Sequence, residues 1–164
     1  MMKKLLLFTA FVLSLCGCCS KPQNNAVEEA KKLIDSGDAE CVLIRNGKIQ
    51  IVEKGKGVSP LLRIYEEHKE QMKGAIIVDK VIGRAAAAIA INGKVKHVHA
   101  KIMSDDAAAF LAAHNITSSA DMHVPRILNR NRSGLCPLEQ SVENINDPQA
   151  ALTALKNKIM SFKK

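Results

Sequence analysis

The sequence predicts an α/β fold, a three-layer α/β/α sandwich with a mixed sheet, and three observations predict it. Segments with apolar residues at helical spacing alternate along the chain with short segments of strand character. Asn46-Gly47 separates two strand-like runs, a strong hairpin signal that brings an antiparallel pair into the sheet. Beyond the hairpin, strands and helices take turns, the order that gives parallel strands joined by crossover helices on both faces.

Each element has its own signal. "NAVEEAKKLIDSGD" sets Val27, Ala30, Leu33 and Ile34 on one helical stripe and stops at Gly37. "ECVLIRNGKIQIVEKG" is the hairpin. In "GKGVSPLLRIYEEHKEQMKG" a loop leads to a helix with Ser59 as cap and Pro60 in its first turn. "GAIIVDK" is a short apolar run of the kind buried within a sheet. "VIGRAAAAIAING" is an alanine-rich helix ending at Asn92-Gly93, and its small side chains let neighbours approach from every side, so it is expected at the centre. "KVKHVHAKIM" alternates as a strand, and "SDDAAAFLAAHN" is a helix capped by Ser104 with Asp105 and Asp106 in the first turn, where carboxylates suit the helix dipole. A short strand around "ADMHVPRIL", the loop "NRNRSG", a helix in "CPLEQSVEN" and a last helix from Asp147-Pro148 complete the chain.

The first seventeen residues read as a leader. Lys3 and Lys4 precede an apolar run from Leu5 to Leu15 that is too short to span a membrane, which takes about 20 residues. The order Leu15-Cys16-Gly17-Cys18 is lipobox-like, and Cys18 is the expected lipidated residue because Gly17 offers the small side chain needed before the cut. Acyl chains there would tie the protein to the outer face of a bacterial membrane, facing the periplasm or the exterior. Residues 18–25 are then a tether and 26–164 one domain. Without Lys3 and Lys4 the chain keeps 22 basic against 16 acidic residues, a net charge of +6. One Tyr, four Phe and no Trp give no stacking platform for nucleic acid, so the charge suits anionic lipid or a small anionic ligand better.

Ligands of open α/β sheets sit beyond the carboxyl ends of the strands. Asp79 and Lys80, read as standing where a helix begins, are candidates for an acid, a base or an anion partner. Gly83 permits close approach of backbone, and Arg84 is an anion binder or a solvated cation. Ser104 is a cap that also faces this end. Asn129, Arg130 and Arg132 lie in a loop before a helix start, a setting for phosphate or carboxylate capture. Cys136 precedes Pro137 at that start and is open to three readings: a pocket wall, a low-pKa thiol, or a disulfide with Cys41. Glu139 is an acid or base, or a first-turn carboxylate. His97 and His99 share a strand face at a spacing a metal could use, but a third ligand is wanting. Gly55 to Gly57 lacks the spacing of a phosphate loop.

"DKVIGRAAA" (Asp79 to Ala87), "NRNRSGLCPLE" (Asn129 to Glu139) and "CVLIRNGK" near the start together resemble a small uncharacterised bacterial family with a cytidine-deaminase-like fold. The resemblance spans roughly Glu28 to Lys158. It implies a site at the starts of two helices. Zinc deaminases supply a His or Cys with a nearby Glu from the first helix and Pro-Cys-x-x-Cys from the second. Here Asp79-Lys80-Val81 offers no such set, and Cys136-Pro137-Leu138-Glu139 keeps one thiolate, so no metal or cofactor is expected. The expected function is a zinc-free domain that binds a small anionic ligand, a nucleotide or nucleoside, with Asp79, Cys136 and Glu139 as the candidate catalytic groups. The alternatives are a thiol enzyme using Cys136 and a non-catalytic interaction module of the cell envelope.

Overall fold

The computed structural model describes residues 22–163; the segment read as a leader, and Cys18, the residue expected to be lipidated, lie outside the described residues with Cys16 and Cys19. Helix α1 (Pro22–Asp35) begins inside the segment read as tether and buries Ala26, Ala30 and Ile34. Strands β1 (Cys41–Arg45) and β2 (Lys48–Glu53) form the hairpin. Asn46 and Gly47 both take positive φ, 54° and 72°, the pair of left-handed residues that a tight two-residue turn requires.

Helix α2 (Ser59–Glu67) starts one residue earlier in the backbone than its expected cap: Val58 is the N-cap, Ser59 is already helical, and no side chain closes this end. Pro60 needs no amide partner there, which limits what an absent cap costs. The helix breaks at His68, and a single turn, α3 (Lys69–Met72), follows with Met72 fully buried.

Strand β3 (Ile76–Ile82) departs most from expectation, because Asp79 and Lys80 lie within it and start no helix. Asp79 pairs with Cys41 of β1 on one side and with Ala100 of the next strand on the other. A central strand keeps its backbone satisfied by both neighbours, so it runs on past the apolar residues until Gly83. Helix α4 (Arg84–Asn92) follows and is buried almost throughout, as its alanines require. Strand β4 (His97–Ser104) feeds α5 (Asp105–Ala113), where Ser104 Oγ accepts from the Ala107 amide at 3.1 Å as the expected cap. Strand β5 (Thr117–Val124) is longer than the short piece expected, and α6 (Pro137–Gln140) shorter. Helix α7 (Pro148–Ser161) ends the fold, with Asp147 as its cap.

The five strands lie in the order β2-β1-β3-β4-β5. β1 is antiparallel to β2 and β3, whereas β3, β4 and β5 are parallel, so the sheet is mixed. Helix α1 packs against Val42, Ile44, Ile76 and Val78 on one face. The larger core, around Leu43, Ile77, Ile89, Met103 and Leu155, lies on the other face under α2 to α7. The α/β/α sandwich is therefore lopsided, and α4 is the helix most of the others touch.

Candidate functional site

A pocket of about 450 Å³ opens beyond the carboxyl ends of the parallel strands, between the starts of α4 and α5 and the segment leading into α6. Arg84, Ser104, Asp106, Arg126, Glu139 and Asn146 supply its polar wall.

Arg84 is the first residue of α4, and its side chain is 92% buried. Nη1 donates to Asp106 Oδ1 at 2.7 Å; Nη2 donates to the Ile145 carbonyl at 2.8 Å and to Asn146 Oδ1 at 2.9 Å. The group lies 4.1 Å above the Phe110 ring, a cation–π contact that helps hold a charge out of water. Nε is buried with no acceptor, an uncommon state for a charged donor.

Glu139 reaches from α6 to the start of α4. Its two oxygens accept from the backbone amides of Arg84 at 2.7 Å and Ala85 at 3.1 Å. It therefore caps a helix other than its own. Burial pushes its pKa up from the ordinary carboxylate value, against the downward pull of those two amides. Gly83 makes room for it: a Cβ at that position would stand 2.5 Å from the carboxyl atoms. Both helix starts that face the pocket are thus already filled, α4 by Glu139 and α5 by Ser104.

Of the sequence-derived candidates, the structure brings together Arg84, Ser104 and Glu139, with Gly83 beneath them. Asp79 lies apart, in the core beside Cys41, and burial raises its carboxyl to about 7. Lys80 faces outward and pairs with Glu40 at 3.0 Å. Asn129 shapes its own loop, giving a hydrogen bond to Ser133 Oγ and accepting one from the Ser133 amide. Arg130 is exposed at the tip of that loop. Cys136 and Cys41 are both free, so the two do not form a disulfide, and Cys136 is absent from the pocket's lining.

Three site residues lay beyond the sequence argument. Asp106 was legible only as a helix-dipole carboxylate, and its pairing with Arg84 is a tertiary contact. Asn146 and Arg126 sit in connecting segments without a local signal; Arg126 pairs with Glu143 at 3.0 Å near the pocket's mouth.

The donors present do not fit zinc. The start of α4 offers Gly83, Arg84 and Ala85, with a guanidinium that repels a cation, and α6 offers Cys136 and Glu139. Glu139 is already bound to two amides. Among the described residues no three His, Cys, Asp or Glu side chains converge as a metal site.

Residues 29–159 match the profile of a family described as a domain of unknown function, DUF1893. A DUF1893 family protein from Thermotoga maritima superposes with a TM-score of 0.74 at 25% identity, over 82% of this chain and 90% of that one. RibD from Acinetobacter baumannii superposes with a TM-score of 0.45 at 14% identity, over 82% of this chain and 41% of that one. No curated protein matches the chain.

Proposed function

The chain belongs to the DUF1893 family, and from that premise we propose that it binds a small nucleoside-class ligand, a nucleoside or its phosphate, in the pocket beyond β3, β4 and β5, without zinc chemistry. The observation that carries this reading is Arg84, a buried guanidinium on the wall of a pocket of about 450 Å³, with one N–H lacking an acceptor. A ligand carbonyl or phosphate oxygen is the kind of group that would complete it, after a small shift of the wall. Asp106 and Asn146 add acceptors for the N–H edge of a base. The volume falls within the range usual for small-molecule sites.

Glu139 and Ser104 occupy the two helix starts, so a phosphate would not be held there as helix starts commonly hold one. It would lie toward the mouth. Arg126 stands at that mouth, and the loop with Arg130 and Arg132 springs from Ile127 and Leu135 of the pocket wall. Arg130 and Arg132 suit an anionic group better than the interior does, where Asp106 and Glu139 offset Arg84, and Arg126 is itself offset by Glu143.

A thiol reaction at Cys136 has less in its favour. Its backbone amide donates to the Ile127 carbonyl, but no acid or base side chain among the described residues hydrogen-bonds the thiol.

Calorimetric titration with the four common nucleosides and their 5′-monophosphates tests the reading. Saturable heat with at least one of them is expected, and its absence with all would leave the interaction-module alternative in place. The lipobox-like order at Cys18 supports attachment of this domain to the outer membrane face. Cys18→Ser should release it from the membrane fraction; retention of the variant there would remove that part of the proposal.

A further inference from the structure

Helix α1 packs over β1 and β3 and leaves the amino ends of β4 and β5 bare on its side of the sheet. A groove of about 670 Å³ lies there, at the opposite end of the parallel strands from the pocket described above. His97, His99, Thr117, Ser119, Lys31 and Lys96 are on its walls. The register sets His97 beside Thr117 and His99 beside Ser119.

The hydrogen bonds along this row constrain one another's direction. Thr117 Oγ1 gives its one proton to the Lys96 carbonyl at 3.1 Å. At 2.8 Å from His97 Nδ1 it must therefore accept, so Nδ1 carries the ring proton. The other nitrogen of a neutral His97, Nε2, is then a lone pair 3.1 Å from Ser119 Oγ and able to take the Ser119 proton. Ser119 has no second proton, so when it donates to His97 it accepts from His99 Nδ1 across 2.9 Å; Asp121, 3.4 Å from His99 Nε2, favours the opposite tautomer, in which Ser119 donates to His99. One hydroxyl is thus bracketed by two imidazoles, of which one takes its proton and the other supports its oxygen. Burial lowers the pKa of His97, with His99 and Lys96 adding to the effect, which favours the neutral ring a general base needs. Glu28 also lines the groove, and Asp121 faces His99 Nε2 at 3.4 Å and Lys31 at 3.1 Å.

We propose that Ser119 is a nucleophile, with His97 as its general base, in a second site that hydrolyses small acyl esters. The proposal stands independently of the nucleoside reading. Ser119 Oγ adds to the ester carbonyl carbon as its proton passes to His97 Nε2. The bond from that carbon to the leaving alcohol breaks, and His97 returns the proton to the departing oxygen. Water then attacks the acyl-serine and gives a proton to His97. The bond to Oγ breaks, the proton returns to Ser119, and the carboxylic acid leaves. Lys31 and Lys96 are the cations on the groove's walls, Lys31 already paired with Asp121, while Thr117 and His99 are positioning residues.

The test uses the full chain, a fluorophosphonate probe read by mass spectrometry, and p-nitrophenyl acetate hydrolysis. Labelling at Ser119 is expected, together with hydrolysis that Ser119→Ala abolishes and His97→Gln lowers by roughly a hundredfold, within the usual range for a general base. Hydrolysis should rise with pH through an inflection below 6.5, because His97 titrates below its ordinary value. Unlabelled Ser119, or hydrolysis unchanged by Ser119→Ala or by His97→Gln, would overturn the proposal. Far-ultraviolet circular dichroism confirms that each variant is folded, and Ser119→Gly replaces Ser119→Ala should the latter unfold.

Discussion

Asp79→Asn is expected to raise stability near about pH 8 by about 4 kcal/mol while leaving it nearly unchanged near about pH 4, the reverse of what loss of a functional carboxylate would suggest. Asp79 is 7% exposed in the middle of β3, beside the buried Cys41 thiol, and burial raises its pKa from 3.8 to about 7. Between those values the unfolded chain has lost the proton and the folded chain still holds it. The folded state then binds more protons, so stability falls as pH rises through this window and levels off above about 7. Asparagine keeps an oxygen to accept from the Val81 amide, as Asp79 Oδ1 does at 3.0 Å, and carries no charge to bury. Urea midpoints of the two proteins across this pH range measure the difference, and groups common to both largely cancel. Parallel profiles, or a variant less stable near about pH 8, would contradict the burial of an ionisable Asp79.

Glu139→Ala and Gly83→Ala should each cost about 2 kcal/mol, and the double variant little more than either alone. Loss of Glu139 removes the acceptor of two amides at the start of α4, at 2.7 and 3.1 Å. Water entering from the open pocket replaces part of what is lost. Gly83→Ala acts through the same group, since its Cβ would stand 2.5 Å from the carboxyl atoms and force Glu139 away. Gly83 has a φ of −104°, which alanine adopts freely, so crowding and a weaker cap residue account for the whole effect. Once Glu139 is gone there is nothing left to displace. A coupling free energy of about 2 kcal/mol in chemical denaturation is therefore expected, and additive costs would contradict this packing.

The same two positions show how far local sequence reaches. Gly83 was legible as a point of close approach, and Glu139 as a first-turn carboxylate or an acid. That Glu139 serves the start of α4 depends on how α6 folds across the pocket, a contact between residues 54 and 55 positions apart that no local pattern encodes. Asp79 was misplaced for a related reason. A charge after four apolar residues reads as the end of a strand, yet parallel pairing to β4 carries β3 three residues further. The helices were easier: Ser104, Asp147 and the alanines of α4 are local signals, and each has the role its chemistry suggests. The amino end of β5 was overlooked because Thr117, Ser119 and Asp121 are polar, as suits a face that α1 leaves uncovered.

The binding of a small ligand in the pocket beyond the parallel strands is the step on which the proposed function stands. It is tested most directly by following backbone amide chemical shifts of the full chain during titration with nucleosides and their 5′-monophosphates. Binding in the pocket predicts saturable shifts at Arg84, Ala85, Ser104, Asp106, Arg126 and Asn146, the residues on its rim and wall or next to them. Saturable shifts confined to His97, Thr117 and Ser119, or no shifts with any of these compounds, would contradict it.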